Sequence, residues 1–417
     1  MTTDPIVAAL DIGTAHTTAL VASVGGDLPR TPMLRILGVG RARTQGLRRG
    51  VVSNIEEATH SIREALSEAT RHAGVNAESL YVGIAGEHVR AMCSTGVVAI
   101  SGDEIVRADV DRANEVARAL AIPQDRELLH AIPQEYRVDQ ALGIRDPVGM
   151  VGMRLETEMY LVTIGSAPAM NLRRSIEKAG FKVKELVLEP LASALAVLSE
   201  EQKEAGVALV ELGAGTTDVA IFHEGKIRHI GSLAFGGNNV TADIVHGLSV
   251  TQNDAEALKE AYGCAYEPLL AGDEVIAVPA SATHPERHLS RELMAHIIHQ
   301  RMDEIFNLVQ REIETAGYAG KLNGGVVLTG GGASLEGVAE LAADVFGMRV
   351  SVGVPAGRLS GLRELIDEPR FATVTGLALY GAHRMALGGA VVRRAGLSGT
   401  SVDKLAQRVK DWLQDFF

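Results

Sequence analysis

Residues 11–14, Asp-Ile-Gly-Thr, and residues 211–218, Glu-Leu-Gly-Ala-Gly-Thr-Thr-Asp, sit in the same setting about 200 residues apart. Each follows an apolar run (6–10 and 207–210) and precedes a second β-rich run (17–24 and 219–222). An acid, a glycine and a threonine in one turn between strands is a weak signal. Its recurrence implies a duplicated unit. Glycine lets backbone N–H groups converge on an anion, and threonine adds a hydroxyl donor. The pattern therefore predicts two phosphate loops facing each other. Asp11 and Asp218 are placed to hold the waters of a magnesium ion that bridges phosphates. A third turn, Thr329-Gly330-Gly331-Gly332-Ala333, ends the apolar run 325–328 and offers a surface free of side chains on which a flat ring can lie.

The chain has 417 residues, 46% hydrophobic and 22% charged, enough apolar material for two lobes. Its 52 acids outnumber 40 Lys and Arg, for a net charge of -12. A general nucleic-acid binder needs the opposite balance, so none is expected as a partner. Two cysteines, Cys93 and Cys264, make neither a disulfide framework nor a four-ligand zinc site. Residues 1–10 lack the basic start of a signal peptide, and apolar runs such as 206–210 are far below a membrane span of about 18 residues. A cytoplasmic protein is expected.

The predicted elements alternate as α/β. Strands are expected at 6–24, 34–39, 81–86, 160–164, 207–210, 219–222 and 325–328. Helices are expected at 54–73, 169–179, 191–198 and from 334, with 239–320 mostly helical. Residues 87–160 look like an inserted α+β module: strands at 97–100 and 127–138, a helix at 109–120 and a loop at 143–152.

The order DIGT, ELGAGTTD, LTGGGA resembles the actin-like ATPase superfamily of actin, sugar kinases and DnaK-type chaperones. YVGIAGEHV, AIPQEYRVD, DPVGMVGMRLE, LVLEPLASALAVL and GGNNVTADI together resemble one branch, the FtsA family of bacterial cell division. The resemblance runs from about residue 6 to 387, returns in the tail, and places the insertion where that family carries its own. It implies a duplicated, ribonuclease H-like two-domain fold. The first actin-like domain would be 1–86 with 161–204, the inserted subdomain 87–160, and the second domain core 205–228 with 321–387. An upper subdomain at 229–320, a linker at 388–400 and a C-terminal amphipathic helix at 401–417 complete the organisation.

Carried over by position, the resemblance implies that Asp11, Gly13 and Thr14 form the first phosphate loop of an ATP–Mg2+ site, and Gly213, Gly215, Thr216, Thr217 and Asp218 the second. Gly330, Gly331 and Gly332 would line the adenosine. Glu256 and Lys259, three apart on one helical face, match a pair that reaches ribose and adenine in related chaperones. A solvated ion pair is the other reading of the same spacing. Glu189 matches the residue that orients the attacking water, and Asp218 is the second candidate catalytic residue. The second loop usually opens with Asp, whereas this chain has Glu211. A shift of about 1 Å near reacting atoms can cost about a hundredfold, so binding with slow or absent hydrolysis is expected.

His284, His288, His296 and His299 lack the acid or cysteine of a zinc pattern and read as surface or packing residues. Arg41, Arg43, Arg48 and Arg49 read as a solvated hairpin. Helix 291–313 should bury Leu293, Ile297, Ile298, Ile305, Leu308 and Val309, with Arg291, Arg301 and Arg311 on or near the other face. In the FtsA family this region resembles the lobe that binds the acidic C-terminal peptide of FtsZ, with Arg301 the best candidate contact.

In the tail, Val402, Leu405, Val409, Trp412, Leu413, Phe416 and Phe417 form an apolar stripe and end on a helix too charged to span a bilayer but able to lie in its interface. Trp412 is the chain's one tryptophan. Lys404, Arg408 and Lys410 are outweighed by Asp403, Asp411, Asp415 and the terminal carboxylate, so insertion must be mainly apolar. One tail should hold weakly and a filament of many should hold well. The implied protein polymerises on the inner face of the cytoplasmic membrane at the septum, anchors FtsZ filaments there and recruits later division proteins. A pilus-assembly actin-like scaffold shares the insertion but not such a tail. A sugar kinase would need a catalytic Asp in the second half of its first domain, for which this chain offers no candidate, and would leave the tail unexplained.

Overall fold

The computed structural model describes residues 4–27, 31–270, 272, 274–279, 285–357 and 359–395. Strands β1 (Ile6–Ile12), β2 (His16–Asp27) and β3 (Thr31–Arg43) are antiparallel neighbours. A short hairpin, β4 (Leu47–Arg48) and β5 (Val51–Val52), leads into helix α1 (Ile55–Ala73) and strand β6 (Ser79–Ile84). Next come β7 (Arg90–Ala99), α2 (Arg107–Arg118), β8 (Arg126–Val138), β9 (Ala141–Ile144) and β10 (Arg154–Gly165). These strands make their own sheet, ordered β7-β10-β8-β9. Helix α3 (Ser166–Ala179), β11 (Lys182–Leu188), α4 (Glu189–Val197) and α5 (Glu200–Ala205) follow.

The second half opens with β12 (Val207–Leu212), β13 (Thr217–His223) and β14 (Lys226–Leu233), then α6 (Gly237–Leu248) and α7 (Gln252–Tyr262). An antiparallel pair, β15 (Val275–Val278) and β16 (Arg287–Ser290), precedes α8 (Arg291–Thr315) and β17 (Val326–Thr329). Helix α9 (Val338–Phe346), β18 (Val350–Val352), β19 (Leu359–Gly361) and α10 (Ala372–Ala395) end the described chain.

The duplication is explicit in the strand order. The first sheet reads β11-β6-β1-β2-β3-β19 and the second β18-β17-β12-β13-β14, the same arrangement but for the added β19. In each, three antiparallel strands meet two parallel ones. Both sheets are covered on both faces, which is why their strands read as continuous apolar runs. Val7, Ala9, Leu20 and Ala22 face the core shared by the two halves, while Ala8, Leu10, Ala19 and Val21 face α1 and α3. Leu209, Ala220 and Phe222 enter the shared core from the second sheet, and Val210, Val219 and Ile221 face the helices of the second half. Helices α4 and α10 lie in the shared core through Leu191, Ala194, Val374 and Leu377.

Several expectations need correction. Strand β3 reaches Arg43 because it pairs with β2 along its whole length, so Arg41 and Arg43 are strand residues. Strand β10 runs to Gly165 against β7 and β8, so the boundary at 160/161 falls inside a strand of the inserted sheet. Loop 143–152 begins as the edge strand β9, and a 3-10 turn, Gly331–Ser334, stands before α9 where a helix from 334 was expected. Within 239–320 the pair β15 and β16 interrupts the helices. Residues 359–387 do not belong with the second sheet: β19 pairs with β3, and α10 packs on β1, β2, β3 and β6. Helix α10 also continues through residues 388–395, most of the expected linker, where Ala390, Arg393, Arg394 and Ala395 are good helix formers set against a cost of about 1 kcal/mol for each of Gly388 and Gly389. Helix α8 turns Met294, Ala295, Ile298, Met302, Phe306 and Ile313 inward with Ile305 and Val309, leaving Leu293 46% exposed. The tail, 401–417, lies outside the described residues.

Candidate functional site

The two glycine turns are built on one template. Asp11 pairs with Thr18 and Ile12 with Thr17 across β1 and β2; Glu211 pairs with Asp218 and Leu212 with Thr217 across β12 and β13. The turns meet between the halves. A Cβ on Gly215 would lie 2.6 Å from Thr14 Oγ1. The second turn is closed by the Gly213 N–H donating to the Thr216 carbonyl at 3.0 Å. It is tied to α6 by the Gly237 and Asn238 N–H groups, which donate to the Gly213 and Ala214 carbonyls at 3.0 and 2.8 Å. Among the described residues no hydrogen bond uses the N–H of Thr14, Ala214 or Gly215, which leaves these donors for an anion.

Thr14 and Gly215 line a cleft of about 690 Å³ together with Leu47, Arg48, Arg49, Asn238, Asn239 and Ala242. That volume suits a ligand of nucleotide size. Arg48 and Arg49, read from sequence as a solvated hairpin, are cleft residues; Arg-Gly at the turn gave no signal of that position. Asn238 and Asn239 belong to the quoted GGNNV stretch but carried no assigned role.

Four carboxylates gather below the turns. Glu211 and Asp218 are buried, Asp11 is half-buried on β1, and Glu189 opens α4 above Gly83, where a Cβ would lie 2.9 Å from its Oε1. Burial, reinforced by the charge of Glu211, pushes Asp11 up to about 8. Burial and Asp218 raise Glu211 to about 7 against hydroxyl bonds from Thr373 and Ser193. Asp218 rises to about 6 by burial, opposed by the hydroxyls of Ser232 and Thr216, the latter at 2.9 Å. Burial raises Glu189 too, with Asp11, Glu211 and Asp218 adding to it.

This sets a pH dependence. Acids with raised folded pKa values bind more protons folded than unfolded, so their stabilisation is present below the unfolded carboxylate range and is lost as pH rises through about 6 to about 8. His16, His130 and His383, held down to about 4 chiefly by burial, oppose this only below their ordinary value of 6.5. Ligand-free protein should therefore lose Tm between about pH 6.5 and about pH 8.5, and Glu211→Gln should flatten that slope. A Tm that holds or climbs over this range would contradict the crowding of acids.

Glu211 owes its extra methylene to two helices. Ser193 of α4 donates to Glu211 Oε2 at 3.0 Å, Thr373 of α10 donates to Oε1, and the two hydroxyls are 3.0 Å apart. The side chain is thus drawn into the buried junction of the halves. Neither hydroxyl partner was legible from sequence, because each lies on a distant segment.

Lys259 is largely buried and Glu256 about one-third exposed, so their ion pair is only partly solvated. Its Nζ donates to Glu256 Oε2 and Thr241 Oγ1, both at 2.8 Å, and to the Gly237 carbonyl at 3.3 Å. The pair is therefore fixed against the start of α6, beside the second turn. Gly330, at φ 82°, donates to the Pro369 carbonyl at 3.2 Å, and Cβ atoms on Gly330 or Gly332 would press on Leu212. Gly331 faces open space. The structure thus brings the first two glycine turns to one cleft, sets the Glu256–Lys259 pair beside the second turn and Gly330 and Gly332 against Leu212 at its base, and places Arg301 outside the cleft lining. Arg301 chelates Asp243 through Nε at 2.5 Å and Nη2 at 3.1 Å, and also pairs with Glu304. His296 meets Glu267 and His299 the Ala265 carbonyl, each at 2.9 Å, and His284 lies outside the described residues.

Two like-ordered sheets around such a cleft define an actin-like ATPase fold. Solved structures sharing it include the PilM–PilN type IV pilus biogenesis complex, at TM-score 0.62 and 18% identity over 90% of this chain and 98% of that one. MreB5 of Spiroplasma citri bound to ADP matches at TM-score 0.55 and 14% identity, over 92% and 98%. The description "SHS2 domain inserted in FTSA" matches residues 86–163, and "Cell division protein FtsA" matches 208–376. The cell division protein FtsA of Pseudomonas aeruginosa is 40% identical over 415 residues, covering 99% of this chain and 98% of the relative. That of Escherichia coli K12 is 34% identical over 419 residues, with the same coverage. The chain belongs to the FtsA family of cell-division proteins.

Proposed function

We propose that this chain binds ATP with Mg2+ in the cleft, polymerises on the inner face of the cytoplasmic membrane at the septum, anchors FtsZ filaments there and recruits later division proteins. The observation that carries the nucleotide part is the meeting of Thr14 and Gly215 above four mutually repelling carboxylates. A divalent cation relieves that repulsion. Magnesium would be held through water and phosphate by Asp11 and Asp218, since among the described residues the acids do not close into a direct metal cage. Gly13, Thr14, Gly213, Gly215, Thr216 and Thr217 take the phosphates, Glu256, Lys259 and Gly330 to Gly332 the nucleoside, and Glu189 orients water for a slow hydrolysis. An FtsZ peptide at Arg301 has to displace Asp243 or Glu304.

No helix among the described residues is long and apolar enough to cross a membrane; the attachment we propose is made by the tail stripe from Val402 to Phe417. Trp412 reports on it directly. Its emission should shift to the blue with anionic vesicles, and further when ATP–Mg2+ is present, because assembly multiplies weak tails. An unshifted spectrum in protein that binds ATP would remove the membrane part of the proposal and favour a scaffold of the pilus-assembly kind.

A further inference from the structure

We propose that the hairpin at residues 47–52 is a cationic clamp on the outermost phosphate of the bound nucleotide, with Arg48 and Arg49 supplying the charge. The inference rests on the nucleotide reading of the cleft and extends it to tri- versus diphosphate selectivity. Of the side chains lining the cleft, only Arg48 and Arg49 are charged, and they share it with Thr14 and Gly215 of the two turns. Three largely buried arginines elsewhere show the contrast, each held by acids: Arg228 by Glu135 and Glu224, Arg291 by Glu274 and Glu336, Arg301 by Asp243. Among the described residues neither Arg48 nor Arg49 has an ion pair or a side-chain hydrogen bond, so both guanidinium groups are available.

The backbone supplies the second observation. Arg49 and Gly50 form a two-residue hairpin turn with φ of 49° and 75°, both left-handed. Glycine, asparagine or aspartate normally takes the first of these places, since a longer side chain strains it. A strained residue is kept where its surroundings impose it, and such places cluster at ligand clamps. Here the base is fixed. The Ser53 and Asn54 N–H groups donate to the Gly46 carbonyl at 2.8 and 3.1 Å, and a Cβ on Gly50 would lie 2.8 Å from the Ala85 carbonyl. The tip therefore presents two cations from a preorganised loop, while the carboxylates below exclude a bare anion from the floor. A chain of phosphates starting at the turns and ending at the hairpin satisfies both ends.

The test is calorimetric titration of the full chain and its Arg48→Gln/Arg49→Gln variant with ATP–Mg2+, ADP–Mg2+ and adenosine. ATP affinity should fall about tenfold more than ADP affinity, with adenosine unchanged, as expected for losing charge-assisted phosphate contacts. Arg49→Gly separates strain from charge: it should raise Tm yet still weaken ATP, whereas Arg48→Lys/Arg49→Lys should recover most of the selectivity. Equal loss for all three ligands, or no loss, overturns the clamp. A wild-type chain that binds none of them overturns the nucleotide reading itself, and the clamp with it.

Discussion

Gly215→Val should reduce ATP affinity about a hundredfold or more while leaving the fold intact. The valine would place its Cβ 2.6 Å from Thr14 Oγ1 and 3.0 Å from Thr14 Cγ2, so the two turns must part for it to fit. Gly215 does not have a left-handed φ, so the cost is not backbone strain but separation of the loops. Losing one or two charge-assisted phosphate bonds, at about 1.5 to 3 kcal/mol each, costs about a hundredfold in affinity. The clash lies at the cleft and not in either core, so the unfolding midpoint should move little. The pair also predicts a non-additive cycle. Gly215→Ala should weaken binding less in a Thr14→Ala background than in the wild type, because the Oγ1 and Cγ2 that obstruct it are gone. Wild-type ATP affinity in Gly215→Val would mean that the nucleotide does not sit where the two turns meet.

What the sequence makes legible follows from how local each signal is. The turns at 11–14 and 211–218 could be placed because acid, glycine and threonine lie within a few residues, and the flanking runs are apolar on both faces of buried sheets. Helix α1 was equally plain: Asn54 caps it, Gly74 ends it at φ 65°, and Ala58, Ile62, Ala65, Leu66 and Ala69 turn inward. The return of β19 to β3 was hidden, since it pairs Leu359 with Leu34 and nothing near either residue announces the other. Glu211 could be noticed as a departure but not explained, because Ser193 and Thr373 reach it from two other segments. The clefted hairpin was missed for a third reason: Arg-Gly is not one of the usual two-residue turn pairs, and its charges looked like solvated surface.

The same long-range organisation makes Gly376→Ala a sharp test, because local and tertiary effects have opposite signs. In a helix interior, glycine to alanine ordinarily stabilises by about 1 kcal/mol. At Gly376, a Cβ would lie 1.8 Å from the Ala192 carbonyl oxygen and 2.3 Å from its carbon, so α10 crosses α4 in backbone contact. Neither helix has free space to retreat into. Val374, Leu377 and Ala378 are fully buried on α10, as are Leu191 and Ala192 on α4, between sheets that cover both sides. Overpacking of this kind costs about 1 to 3 kcal/mol and sometimes more, and this contact belongs at the upper end. The expected result is a loss of about 3 kcal/mol, read as a lower urea midpoint at unchanged slope. The displacement should also reach the cleft, because Thr373, three residues before the crossing, donates to Glu211. Losing that hydroxyl removes one of the two bonds that favour the charged carboxylate, so the pH slope of stability should steepen in the same variant. A higher midpoint for Gly376→Ala would mean that helix propensity had won, and that α4 and α10 do not join the two halves by direct backbone contact.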